Sequence, residues 1–311
     1  MFFQNFLTAA QQVVILYLIA AVGFAADRLK IYTEKTARAC NDLLFYIITP
    51  CVIIKAFMTT EFTAESAKGF FMAALCCAMT FAVAILISVP FFRDKTNEDN
   101  AVYKYASIYG NMGYMALPLA NAVLGAEGVF YCSAGIITFQ LFCFTHGVWL
   151  MRKKEENEKL QIRRMLLNPG VIGVTLGLPF FLLQLKAPEI LTSPISFIGS
   201  MNTPLAMLMF GTYMSNADIR HIFSNKQQYP AALLKDVAVP VIMFGILRLT
   251  GLVSGALLTS CIIQSSAPSA NNTVMFAAKY GRDTAVASKT VTFVSFVSIL
   301  TMPAMIALCG T

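Results

Sequence analysis

Charge in this chain falls in bands, and the intervals between the bands are the length of a bilayer crossing. The runs 1–26, 69–92, 105–126, 128–151, 165–185, 190–217, 249–278 and 290–311 carry no Lys, Arg, Asp or Glu. A hydrocarbon core needs roughly 20 apolar residues per crossing helix. No soluble domain buries so many segments of that kind. With 57% hydrophobic and 13% charged residues and a mean hydropathy of +0.67, the chain reads as an all-α polytopic membrane protein. Its net charge of +7 therefore reports loop orientation and not nucleic-acid affinity.

Charge breaks, turn residues and Pro/Gly positions predict ten spans, at about 8–29, 35–58, 66–91, 100–124, 127–151, 167–186, 190–215, 230–250, 253–280 and 284–309. The first has no basic n-region before it and no small-residue cleavage site after its apolar stretch, and it reads as a retained helix rather than a signal peptide. Assigned to alternating loops, 19 of the Lys and Arg residues fall on one side and only Lys55, Lys68, Lys186 and Arg248 on the other. The positive-inside rule then puts both termini outside and the basic loop 152–166 in the cytoplasm. That loop, RKKEENEKLQIRR, separates five spans (1–151) from five (167–311). An odd number in each half makes the halves enter the membrane in opposite senses, as in inverted-repeat transporters. Thr49-Pro50 in the second span and Thr203-Pro204 in the seventh occupy equivalent places, so Pro50 and Pro204 are candidate hinges.

The fourth and ninth spans are unusual. One carries Gly110, Asn111, Gly113 and Pro118 in its middle; the other carries Gln264, Ser265, Ser266, Pro268, Ser269, Asn271, Asn272 and Thr273. Pro removes a donor and crowds the preceding turn, and Gly costs about 1 kcal/mol in a helix relative to Ala. Freed backbone groups at membrane depth are tolerated only against protein or a wet cavity. Two such breaks, one in each half, point to a substrate site. Each break offers a new helix N-terminus, with free N–H groups and partial positive charge, near Met112–Gly113 and near Ala270–Asn271. Together they suit a carboxylate without any Arg or Lys. The candidate substrate residues are Asn111, Met112, Gly113, Pro118, Pro268, Ser269, Asn271 and Asn272, with Gly110 as a helix-break position and the Thr273 hydroxyl nearby.

NMGYMALP (Asn111–Pro118), APSANNTVMFAAKYG (Ala267–Gly281), NPG (Asn168–Gly170) and TPLAMLMFG (Thr203–Gly211) resemble the auxin efflux carrier family in its short prokaryotic form, over essentially the whole chain. The resemblance implies two inverted five-helix repeats. It further implies a scaffold of helices 1, 2, 6 and 7, a transport domain of helices 3–5 and 8–10, broken helices crossing at the substrate site, and elevator-type transport. It implies a small carboxylate, auxin- or malonate-like, as substrate, and it allows a homodimer. Plant carriers have Pro where this chain has Gly110 and a second Pro where it has Thr273, and their central loop is longer. Asn111 and Pro268 carry over as positions; the substrate does not. The short central loop points to a prokaryotic plasma membrane.

Gln264, Asp236 and His146 are candidates for ion coupling, because intramembrane polar and charged groups mark ion paths and His titrates near neutrality. A lone His is more often a packed one. Lys235 and Arg248 are expected to snorkel to opposite surfaces, Lys55 lies near the outer interface, and Trp149 is an interfacial anchor. The sequon Asn271-Asn272-Thr273 sits at membrane depth and is discarded. The eight cysteines are scattered without a CxxC pair, so neither a metal site nor a cofactor is expected, and enzyme motifs are absent. The alternatives are a sodium-coupled organic-anion symporter of bile-acid-carrier type and a membrane metabolite sensor.

Overall fold

Every regular element described is helical, apart from one isolated β-bridge between Gly110 and Ser269. The structure, a computed structural model, describes residues 2–94, 97–152, 166–216, 223 and 225–310. The basic loop expected at 152–166 lies almost wholly outside them.

The chain opens with α1 (Phe2–Arg28) and α2 (Glu34–Thr59), followed by α3 (Ala64–Ser88) and the short α4 (Asn100–Ile108). Next come α5 (Met112–Met151), α6 (Pro169–Leu183), α7 (Glu189–Ser200) and α8 (Asn202–Asn216). The last four are α9 (Lys226–Thr250), α10 (Gly255–Ser266), α11 (Asn272–Lys279) and α12 (Thr284–Cys309). Among the described residues five of these, α2, α3, α5, α9 and α12, are long and apolar enough to cross a bilayer. The protein is therefore an all-helical, multi-pass membrane protein. Apart from α1, which runs unbroken for 27 residues, the others are shorter. Even α5 is interrupted at Gly125, whose φ of 63° and ψ of −145° belong to a region open essentially to Gly alone.

Prolines explain much of the local winding. Each of Pro50, Pro118 and Pro240 is preceded by a π-helical segment, at Leu44–Ile48, Met112–Ala116 and Leu233–Ala238. A proline ring clashes with the carbonyl four residues back and supplies no N–H to it. Widening the preceding turn moves that carbonyl aside, as π-bulges do in kinked helices. Pro204 uses the other solution: the helix stops at Ser200 and restarts at Asn202, placing Pro204 in a first turn where no N–H is needed.

Two groups of helices can be distinguished by packing. In the first, α1 runs along α8, and the second half of α2 packs against α6 and α7. In the second, α3, α5 and α12 each pack against α10, and α12 also lies along α1. The α1–α8 seam is close because Gly23 and Gly211 face it. A Cβ on Gly23 would strike the Leu208 carbonyl, and one on Gly211 the Ala20 carbonyl. Small residues at such seams supply the dispersion contacts that hold helices together in lipid. At the helix ends Arg28 donates to the Ser215 carbonyl at 3.0 Å, and Asn216 donates to Asp27 at 2.9 Å. Trp149 is largely exposed.

The seam is open to a direct test. Gly211→Ala should lower the thermal midpoint in detergent, through overpacking worth about 1–3 kcal/mol. Gly245→Ala, where a Cβ meets nothing within 4 Å, should leave it unchanged or raise it, because Ala is the better helix former.

Candidate functional site

The two helix breaks expected from Gly, Asn and Pro meet each other. Helix α4 ends at Ile108, and Tyr109 and Gly110 run extended before α5 begins at Met112. Helix α10 ends at Ser266, and the extended Ala267 leads through Pro268 and Ser269 to α11 at Asn272. These two stretches lie antiparallel. The Asn111 amide donates to the Pro268 carbonyl at 2.7 Å, and the Ala270 amide donates to the Tyr109 carbonyl at 2.9 Å. Backbone groups released by one break are thus satisfied by the other, which is the requirement at membrane depth.

Side chains complete the accounting. Ser269 Oγ donates to the Ala106 carbonyl at 2.6 Å, near the end of α4. Lys235 Nζ donates to the Ser265 carbonyl at 3.0 Å, at the end of α10. A cation there complements the partial negative charge of a helix C-terminus. The Asn111 side chain accepts from the Tyr114 amide at 3.1 Å and so caps α5. The amides of Gly113, Asn271 and Asn272 have no acceptor among the described residues.

Beside the paired breaks lies a cavity of about 900 Å³. It extends from Asn111 and Asn271 past Tyr114 and Tyr213 to the helix ends at Glu34, Asn216 and Ala285. Lys289 is the cation among the lining residues, with Glu34 and Asp42 on the same walls. A pocket of this size, partly apolar and carrying a few amides and hydroxyls, fits a small ligand.

The expected residues are distributed unevenly around it. Asn111 and Asn271 line the cavity. Met112, Pro118, Pro268 and Ser269 are buried behind the surface, and Gly113 and Asn272 are half-buried and do not line it. The Pro118 carbonyl accepts from Thr203 Oγ1 at 3.2 Å, which ties α5 to the turn of Pro204 on α8. Asn202 Nδ2 reaches Thr49 Oγ1 at 3.5 Å, so the Pro50 and Pro204 steps are neighbours. Gln264 points away from the cavity, with its amide against Gly135 and its Nε2 donating to the Ser260 carbonyl at 3.3 Å. His146 is half-buried, and its Nδ1 lies 2.8 Å from Tyr109 Oη. It therefore touches the first residue of the α4 break. Thr273 is buried, and its hydroxyl has no partner among the described residues.

Lys235 departs from expectation. It does not snorkel to a surface but is 1% exposed, beside the paired backbone stretches. Gly110 makes room for it: a Cβ at 110 would lie 2.9 Å from Lys235 Nζ and 3.0 Å from the Ala267 carbonyl. Asp236 is fully buried, and both its oxygens lack a hydrogen-bond partner among the described residues. Tyr109, Tyr114 and Tyr213 were not legible as site residues, because tyrosines in apolar helices resemble ordinary core.

These features place the chain among known proteins. A model of the family described as membrane transport protein matches residues 8–306. The chain belongs to this family, that of the auxin efflux carriers. An uncharacterized transporter of Methanocaldococcus jannaschii is 23% identical over 308 residues, covering 96% of each chain. A Rhizobium meliloti protein provisionally named a malonate transporter is 22% identical over 301 residues, covering 92% of this chain and 91% of its own. Membership agrees with a membrane transporter acting on a small molecule.

Gly110→Ala tests the close approach at the breaks. It should lower the thermal midpoint by an amount equivalent to about 1–3 kcal/mol, because Lys235 cannot retreat without loosening its hydrogen bond to the Ser265 carbonyl, and the Ala267 carbonyl is fixed in the backbone. Unchanged melting of that variant would contradict the geometry.

Proposed function

We propose that this protein is a secondary transporter of small organic carboxylate anions in the plasma membrane. The observation that carries the reading is the pair of backbone-linked helix breaks beside a cavity that presents Asn111 and Asn271. Uncommitted amides at Gly113, Asn271 and Asn272 suit an oxyanion, because helix starts concentrate N–H groups and positive potential. The side-chain amides of Asn111 and Asn271 add donors. The name of the R. meliloti relative supports a malonate-sized dicarboxylate as the first substrate to try. Lys289, on the cavity wall, would attract the anion without fixing its position.

The helices support ten spans in two inverted repeats, 1–151 and 167–311, if broken helices are joined. Helix α4 with 112–124 forms the fourth span, the rest of α5 the fifth, α7 with α8 the seventh, and α10 with α11 the ninth. The two broken spans then cross at their breaks. Charge in the intervening loops favours both termini outside, and the cavity then faces the cytoplasm. The two packing groups favour an elevator in which α1, α2, α6, α7 and α8 form the scaffold. The remaining helices would carry the site across, with Pro50, Pro204 and Gly110 at the flexing points.

For coupling, Lys235 places a resident positive charge at the end of α10, the role a bound sodium ion fills at broken helices. This favours sodium-independent flux over the bile-acid-carrier alternative. Asp236, buried and without a hydrogen-bond partner, is the proposed proton-coupling residue. A carboxylate held this way in low dielectric is costly unless its charge is neutralised.

Uptake of radiolabelled malonate, malate and indole-3-acetate into proteoliposomes tests the whole reading. Asn271→Ala and Asn111→Ala should each reduce apparent affinity about tenfold or more, since a lost hydrogen bond to a charged group is worth about 1.5–3 kcal/mol. Asn111→Ala should also melt earlier, having lost a cap worth about 1 kcal/mol. Saturable flux indifferent to both substitutions would dismiss the site. In the same vesicles, flux should respond to an imposed pH gradient but not to sodium, and Asp236→Asn should abolish the pH response. A sodium requirement would instead favour the symporter alternative.

A further inference from the structure

Only four Lys and Arg residues fall on the side of the membrane that the charge count places outside, and two of them line one cavity. Lys55, near the end of α2, and Lys186, just beyond α6, both border a space of about 470 Å³ between α2, α6 and α7. It lies apart from the substrate cavity and shares no lining residue with it. Thr192 and Ser196 of α7 complete its polar wall.

The convergence of the two lysines has a backbone cause. Helix α6 terminates at Gln184, which adopts a left-handed conformation with φ 48° and ψ 42°. That conformation costs a non-glycine residue about 1–2 kcal/mol. The amides of Gln184 and Leu185 both return to the Phe180 carbonyl, so the chain reverses over the helix end and brings Lys186 back toward α2. The Gln184 side chain, itself on the cavity wall, donates to the Phe181 carbonyl at 2.7 Å and braces the turn. Strain kept at a pocket wall points to use of that pocket.

Neither lysine has an acidic or hydrogen-bonding partner among the described residues, although Glu189 begins the adjacent α7. Two unpaired ammonium groups in one concavity present a demand for a multiply bonded anion. The surroundings identify its source. Leu183 and Ile190, on either side of Lys186 in the chain, are 68% and 80% exposed, as residues facing lipid tails are. A polar pocket with an apolar rim between transmembrane helices is the arrangement that holds lipid headgroups.

We propose that this cavity binds a phosphate-bearing anion, the headgroup of an anionic phospholipid of the outer leaflet, against the α2–α6–α7 group. The lipid would bridge Lys55 and Lys186 and pin the α6–α7 turn to the end of α2.

The test uses the full chain purified in neutral detergent. Thermal melting and native mass spectrometry are followed with phosphatidylglycerol, with phosphatidylcholine and with inorganic phosphate. Phosphatidylglycerol should raise the melting midpoint and be retained in the gas phase, whereas phosphatidylcholine should do neither. Lys55→Gln/Lys186→Gln should raise the half-saturating phosphatidylglycerol concentration at least tenfold, while Lys289→Gln should leave it unchanged. Lys186 is exposed, so Lys186→Gln alone keeps the test informative if the double variant does not fold; it should weaken the response severalfold. An equal phosphatidylglycerol response in wild type and the lysine variants would overturn the proposal. Inorganic phosphate reproducing the shift by itself, in a lysine-dependent way, would replace the lipid with a free anion.

Discussion

A helix interrupted inside a membrane leaves N–H and C=O groups with no water to receive them. Here two interruptions answer each other. The amide of Asn111 reaches the carbonyl of Pro268, and the amide of Ala270 reaches the carbonyl of Tyr109. In the proposed ten-span arrangement, neither stretch would be tolerable alone at membrane depth. The position of α4 thus depends on α10 and α11, and theirs on α4. The supports around the pair serve the same accounting: Ser269 closes the end of α4, Lys235 closes the end of α10, and Asn111 caps α5. Once these carbonyls are occupied, the amides of Gly113, Asn271 and Asn272 stay uncommitted at the breaks. That supports the proposal of an anionic substrate.

The few charged residues within the helices fall into two classes. Arg248 is exposed and can reach the interface along its own alkyl stem. Lys235 and Asp236 are wholly buried, and Lys235 lies beside the breaks. Lys235 has a structural role in its bond to the Ser265 carbonyl. Asp236 has no such bond among the described residues.

Several features were legible because particular residues have few physical uses. Uncharged runs of bilayer length announced a helical membrane protein. Gly110, Asn111, Pro268 and Asn271 announced breaks, because Gly and Pro are poor helix formers and Asn favours caps. Other features were hidden for equally physical reasons. Lys235 looked like a surface lysine, since nothing local shows that a carbonyl at Ser265, 30 residues away, is waiting for it. Ser269, Pro118 and Gln264 were polar or helix-breaking residues in the right segments, yet their side chains or carbonyls serve packing partners and do not line the cavity. Tyr109, Tyr114 and Tyr213 gave no local signal at all.

By itself, then, the sequence determined the solvent this protein lives in, its helical character and the two places where its helices break. Those are consequences of local composition: hydropathy over about 20 residues, and the backbone chemistry of Gly and Pro. Tertiary structure alone decided which break pairs with which, which amides stay free, and which lysine is enclosed instead of solvated. Each of these depends on groups far apart in the chain finding one another. Their value appears only when the partner is in place.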